Sequence, residues 1–148
     1  MKQELVRDWM SEEVITITPV TTLPDAERLM ITHVIRRLPV VVDDGRLVGI
    51  VTYGDIRSAR PSRAASINMW ELDFLAAQLK VSEFMTRQPI TIAQDATIGE
   101  AAQLMLKFMI SGLPVLDSKG KLIGIITESD IFRLVAREWA GQEEEMLS

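Results

Sequence analysis

The sequence predicts an α/β (α+β) fold made of one small β-α-β-β-α unit built twice. Three observations predict it. Residues 6–56 recur without a gap at residues 81–131, an offset of 75 at which 20 of 51 positions are identical. Within each copy, apolar residues alternate between helical spacing and short runs of strand length. An Asp-Gly-type turn separates two of those runs in each copy, which is a hairpin signal. Such a unit alone buries little surface, so a duplicated one is expected to pack on its twin, and any site it builds should occur twice.

The elements follow in order. Gln3 to Trp9 reads as a helix. An extended segment comes next in each copy, Val14-Ile15-Thr16-Ile17 and Ile90-Thr91-Ile92. A helix follows, opened by Thr22-Leu23-Pro24-Asp25 and by Thr97-Ile98-Gly99-Glu100, both of which fit a capping box with Thr at the N-cap. Leu23, Ala26, Leu29, Met30 and Val34 mark the buried face of the first, and Ile98, Ala101, Met105 and Met109 that of the second. Two hairpins come next. Strands Leu38–Val42 and Leu47–Thr52 flank Asp43-Asp44-Gly45; strands Leu113–Leu116 and Leu122–Thr127 flank Asp117-Ser118-Lys119-Gly120. A last helix starts after Thr52 and after Thr127, the second running from Ile131 to Trp139. Residues 57–68 read as a small, polar, basic linker, followed by a helix from Trp70 to about Leu79. The expected division is therefore residues 1–60 for the first unit with its N-terminal helix, 61–80 for linker and helix, and 81–148 for the second unit with a C-terminal helix and a solvated acidic tail, Glu143-Glu144-Glu145.

Composition narrows the function. The 148 residues carry a net charge of −5, which disfavours nucleic acid as the main partner. Apolar content of 47% suits a folded globular chain. No apolar run reaches membrane-spanning length, and the N-terminus lacks an apolar signal segment, so a cytoplasmic location is expected. Cysteine is absent, which removes disulfide and thiolate chemistry. The single histidine, His33, lies mid-helix and predicts no metal site. The eight methionines suggest adaptable packing. No nucleophile–base pair and no P-loop is present, so no catalytic residue and no enzyme activity is expected.

One motif is suited to binding. Gly49-Ile-Val-Thr52-Tyr-Gly-Asp55-Ile56 and Gly124-Ile-Ile-Thr127-Glu-Ser-Asp130-Ile131 each lie at a strand-to-helix junction. Such a junction presents free backbone N–H groups and the positive end of a helix dipole, a natural seat for phosphate or ribose. The Asp carboxylate can accept two hydrogen bonds from a vicinal diol. The glycine in the preceding strand is expected to let a flat ligand approach the backbone. The same residues also fit a plain capping box, as at Thr22 and Thr97.

The order of extended start, apolar helix, Leu-Pro-Val, Asp-Gly-type turn and Gly-h-h-Thr-x-x-Asp-h (h, apolar) resembles the cystathionine-β-synthase (CBS) domain. Two in tandem resemble a Bateman module, and the linker Trp70-Glu-Leu-Asp-Phe-Leu with the C-terminal extension resembles CBS pairs of the acetoin-utilisation kind. The resemblance implies two repeats about a pseudo-twofold axis, with adenosine-containing ligands in two clefts between them. The Asp would hold ribose hydroxyls, and the Thr would lie near ribose or phosphate. One cleft would use Ile50, Thr52 and Asp55, with an opposite wall of Met85, Ile90, Ser111, Gly112 and Leu113. The other would use Ile125, Thr127, Ser129 and Asp130, with Met10, Ile15, Arg36, Arg37 and Leu38 opposite. Arg36-Arg37 stands where the second copy has Ser111-Gly112, and Arg suits bidentate phosphate contacts. The Asp130 cleft is therefore expected to prefer AMP, ADP or ATP. The resemblance further implies a homodimer formed through helices flanking the sheet, helped by Trp9 and Trp139, and allosteric control of a separate effector protein. The alternative is a dimerisation scaffold whose clefts bind nothing.

Overall fold

The computed structural model describes residues 4–61 and 68–147, with side chains described as far as residue 140. Residues 62–67 of the expected linker lie outside the described residues. The elements are α1 (Val6–Trp9), α2 (Leu23–His33), β1 (Arg37–Val42), β2 (Arg46–Thr52), α3 (Tyr53–Ala59), α4 (Met69–Gln78), β3 (Thr86–Arg87), β4 (Ile92–Ala93), α5 (Ile98–Phe108), β5 (Gly112–Leu116), β6 (Leu122–Thr127) and α6 (Glu128–Leu147). The hairpins and central helices lie where the pattern predicts them. Helix α6 continues well past the expected end at Trp139, through the backbone of the acidic run.

Two compact units divide the chain, and they redraw the expected boundary. One runs from Ile15 to Pro89; the other joins the described residues up to Val14 to those from Ile90 onward. The N-terminal helix, expected with the first repeat, belongs to the unit built on the second repeat's hairpin. The segment from Val81 to Pro89 likewise belongs to the first repeat's hairpin. Backbone hydrogen bonds fix both placements, and the two sets are equivalent at the 75-residue offset. Val6 N–H donates to the Ala96 carbonyl at 2.8 Å and Ile98 N–H to that of Glu4 at 2.8 Å. Val81 N–H donates to the Thr21 carbonyl at 2.8 Å and Leu23 N–H to that of Leu79 at 2.9 Å.

The cores repeat the same substitution of leading segments. Ile17, Leu23, Ala26, Met30, Leu38, Val40 and Val51 are buried together in one unit, completed by Val81. Ile92, Ile98, Ala101, Met105, Leu113, Val115 and Ile126 are buried in the other, completed by Val6. Each core thus takes its valine from the other repeat's leading segment. In a strand-forming duplicated chain, either segment satisfies the same edge hydrogen bonds and the same apolar hole, so local pattern alone does not choose between them.

Each unit has a three-stranded sheet, in the order β1-β2-β3 and β4-β5-β6. The hairpin ladders are antiparallel, and β4 pairs with β5 in parallel, Ile92 opposite Val115. The first extended segment forms less than expected: Ile17 makes a single parallel bridge with Val40. Strand β3 was not anticipated; it pairs Thr86 with Ile50 and Arg87 with Gly49. Its counterpart is the bridge of Ser11 with Ile125, closed by hydrogen bonds of 2.9 and 3.0 Å.

Helices α2 and α5 end alike and against local preference. Their C-caps, Val34 and Met109, are left-handed at φ 54° and 55°. That conformation usually belongs to Gly or Asn, and it costs on the order of 1 kcal/mol for other residues. It lets Ile35 and Ile110 return an N–H to Met30 and Met105 at 3.0 Å. Helix α3 stops early because Arg60 precedes Pro61 and takes extended backbone.

Candidate functional site

The two Thr-x-x-Asp corners form where a strand turns straight into a helix. In the first unit, Thr52 ends β2 and caps α3. Asp55 N–H donates to Thr52 Oγ1 at 3.1 Å, and Thr52 N–H donates to Asp55 Oδ2 at 2.9 Å. This is a complete capping box. No hydrogen bond to Asp55 Oδ1 occurs among the described residues, so that oxygen is open to an outside donor.

In the second unit, Thr127 N–H donates to Asp130 Oδ2 at 2.8 Å. The reciprocal bond is replaced: Thr127 Oγ1 donates to the same carboxylate oxygen at 3.4 Å. The other oxygen, Oδ1, is held by the Arg133 guanidinium one turn along α6 at 2.5 Å. Asp130 is only 8% exposed and is the one buried charged residue among those described. Both oxygens of this buried side chain have a hydrogen-bond partner, as buried polar groups require. Arg133 was not read from the sequence as part of the site. The signal was there: Asp130 and Arg133 lie at i,i+3 on one helix face, whereas the equivalent position in the first copy is Ser58.

The glycines of this motif have a different task from the one expected. A Cβ at Gly49 would lie 2.6 Å from Met85 Sδ and 3.0 Å from the Thr86 carbonyl oxygen. A Cβ at Gly124 would lie 2.6 Å from Met10 Sδ and 2.9 Å from the Ser11 carbonyl oxygen. The space is filled by the leading segment of the other repeat, so the glycines admit protein backbone rather than a flat ligand.

The expected site residues divide between the two units, with one exception in each. Ile50, Thr52, Asp55 and Met85 come together in one, with Thr52 paired across the ladder to Arg37. Ile125, Thr127, Ser129, Asp130 and Met10 come together in the other, with Thr127 paired to Gly112. Of the residues assigned to opposite walls, Ile15, Arg36, Arg37 and Leu38 lie in the first unit and Ile90, Ser111, Gly112 and Leu113 in the second, each in the companion unit. Met85 and Met10 correct that assignment: each lies in the same unit as the Asp it was to face, because its segment pairs with the Gly49 or Gly124 strand of that unit. Leu38 and Leu113 are fully buried core residues, with neither side chain nor backbone exposed. Arg36 is exposed beside Tyr53 and Arg57 in a groove of its own unit. Trp9 is engaged within its unit: its Nε1 donates to Glu4 at 3.2 Å and Arg137 lies 5.6 Å over its ring. Trp139 is exposed on α6, and His33 is exposed at the end of α2. No helix among the described residues is long and apolar enough to cross a membrane.

Comparison with known proteins gives this architecture its relatives. The model of the CBS domain matches twice, over residues 6–62 and 81–137. A CBS domain-containing protein of Dictyostelium discoideum is 41% identical over 133 residues, covering 90% of this chain and 92% of that protein. Several further curated relatives are larger enzymes, among them the inosine-5′-monophosphate dehydrogenase of Korarchaeum cryptofilum, of which the chain spans 25% at 35% identity. Among solved structures, a CBS domain pair in complex with 5′-methylthioadenosine and S-adenosyl-L-methionine superposes with a TM-score of 0.77 at 33% identity, over 93% of this chain and 99% of that one. CBSX2 of Arabidopsis thaliana, solved with AMP, gives 0.75 at 29% identity over 90% and 97%. A Vibrio cholerae protein assigned to acetoin utilization gives 0.78 at 32% identity over 97% and 98%. The chain belongs to the CBS domain family, as a tandem pair of CBS domains.

Proposed function

We propose that this protein is a regulatory module that binds an adenosine-containing ligand, with no catalytic role of its own. The observation that carries the reading is Asp55. Its carboxylate is anchored by one oxygen on the capping N–H of Thr52 and leaves the other to accept from a ribose hydroxyl. Solved relatives in complex with AMP and with S-adenosyl-L-methionine support a ligand of that class. Thr52, Asp55, Ile50 and Met85 would serve one ligand, and Thr127, Asp130, Ser129, Ile125 and Met10 a second. Arg36 and Arg37 remain the proposed source of any preference for a phosphorylated nucleotide. An Arg37→Ala chain that binds AMP as tightly as the parent removes Arg37 from that role.

Regulation would work by differential affinity. A ligand shifts a conformational equilibrium only by the difference in its affinity for the two states, and the shift would reach a separate effector protein in the cytoplasm. We also propose that the working form is a homodimer. The scaffold reading draws on a specific observation, since both carboxylates already have structural duties at their helix starts. Thermal unfolding with AMP, ATP and S-adenosylmethionine separates the two. A ligand at a hundred times its Kd stabilises the native state by about 2.7 kcal/mol and raises the midpoint. A rise that Asp55→Ala abolishes supports the sensor; no rise with any of the three supports the scaffold.

A further inference from the structure

One position sets the two corners apart. Arg133 follows Asp130 by three residues, where the first copy has Ser58 after Asp55. Asp130 Oδ1, the counterpart of the open oxygen of Asp55, therefore accepts from the Arg133 guanidinium at 2.5 Å. The pair is lopsided: the Asp130 side chain is 11% exposed and that of Arg133 67%. An i,i+3 pair with both ends in water is worth little and rearranges freely. Here the anion is fixed. Thr127 N–H donates to its Oδ2 at 2.8 Å and Thr127 Oγ1 donates to the same oxygen at 3.4 Å. The cation is the mobile partner, because its head can return to water while its stem stays on the helix.

We propose that Arg133 is an intramolecular guard: it competes with a ligand hydroxyl for Asp130 Oδ1, so the second corner takes a ribose only by displacing it. The guard rests on the adenosine reading above and adds a control to one of its two corners. A charge-assisted hydrogen bond to a carboxylate is about twice as strong as one from a neutral donor, and a ribose hydroxyl is a neutral donor. Displacing Arg133 therefore costs affinity. The cost is modest, because the freed guanidinium is already largely in water. The second corner should bind adenosine about twofold to fivefold more weakly than the same corner without its guard. The first corner has no such competitor. Ser58 is exposed at the equivalent i,i+3 place on α3, so an arginine put there would reach Asp55 from solvent.

Adenosine itself is the probe, since it has the vicinal hydroxyls and no phosphate to attract a guanidinium. Calorimetry is run on full chains with one corner disabled: Asp55→Ala leaves the second and Asp130→Ala leaves the first. In the Asp55→Ala chain, adding Arg133→Gln should tighten adenosine about twofold to fivefold. In the Asp130→Ala chain, adding Ser58→Arg should weaken it by a similar factor. An affinity that either substitution leaves unchanged overturns the guard while the adenosine reading stands. Weaker binding on Arg133→Gln also overturns it, by making Arg133 a contact of the ligand. A second measurement depends on neither alanine chain folding. In the unmodified chain, the guanidinium NMR signals of Arg133, assigned by their loss in Arg133→Lys, should show hindered rotation and lose it as adenosine saturates the protein. Hindered rotation that persists at saturation overturns the proposal. Absence of adenosine binding in every chain, Arg133→Gln included, overturns the adenosine reading and the guard with it.

Discussion

The two CBS units carry the same core and unlike corners. Position for position, Leu23, Met30, Leu38, Val40 and Val51 in one unit correspond to Ile98, Met105, Leu113, Val115 and Ile126 in the other. At the Thr-x-x-Asp corner the correspondence stops: Asp55 is half-buried with one oxygen open, whereas Asp130 is buried with both oxygens engaged. The second partner of Asp130 comes from one position, Arg133 against Ser58, on the helix that each Asp begins. Duplication preserved what folds the unit and left free what the unit offers to solvent.

The sharpest test of equal cores gives the largest effect. Leu38→Ala and Leu113→Ala each remove a fully buried side chain from the same place in each core. Each should cost about 2–5 kcal/mol by urea unfolding, and the two costs should agree within about 1 kcal/mol. Unequal losses would mean that the cores, too, have diverged in packing.

The corners should then part company. Asp130→Ala leaves the Thr127 N–H and the Arg133 guanidinium without their acceptor beside a buried site, a loss of about 2 kcal/mol. Asp55→Ala removes a partly exposed capping box, a loss of about 1 kcal/mol. Arg133→Ala should barely change stability, because Arg133 is 67% exposed and such pairs contribute under about 1 kcal/mol. It should nonetheless tighten adenosine binding about twofold to fivefold by releasing Asp130 Oδ1, read by calorimetry. Weaker binding of AMP with adenosine unaffected would instead make Arg133 a phosphate ligand.

The repeat itself was legible because identical residues at a fixed offset need no tertiary knowledge, and the hairpins and central helices followed from Asp-Gly turns and Thr caps. Two things were hidden for physical reasons. Val6 and Val81 are the same residue at the same place in each repeat, so the pattern carries no information about which hairpin each covers. Sheet edges choose partners through non-local closure, and here each hairpin takes the distant segment. The glycines were read as ligand clearance for the same reason: the occupant of that clearance, Met85 or Met10, arrives from far along the chain. The Asp130–Arg133 pair was visible as spacing, but spacing gives no burial, and burial is what turns an ordinary surface pair into a restraint on the carboxylate.

The hairpin turns offer the smallest contrast between the units and a pH dependence that isolates it. Gly45 at φ 97° and Gly120 at φ 82° serve both turns, positions where only glycine is at ease. In the first, Gly45 N–H closes on the Val42 carbonyl at 3.1 Å. In the second, Asp117 Oδ1 also accepts the Lys121 N–H at 2.9 Å and the Lys119 N–H at 2.8 Å. The Lys121 backbone bond, with that of Lys119 and the nearby lysine charges, outweighs desolvation and holds the Asp117 carboxyl below its ordinary value of 3.8. A carboxylate whose pKa is lowered by folding contributes stability above the ordinary value and loses it as pH falls through the folded one. Asp117→Asn keeps an acceptor oxygen and removes only the charge. The variant should therefore be slightly less stable than the parent near neutrality, and the gap should close as the pH is taken from the ordinary carboxylate value downward. Urea midpoints measured across that acid limb decide it: a gap that stays constant would assign the turn's stability to the hydrogen bonds alone, with no contribution from the ionised carboxylate.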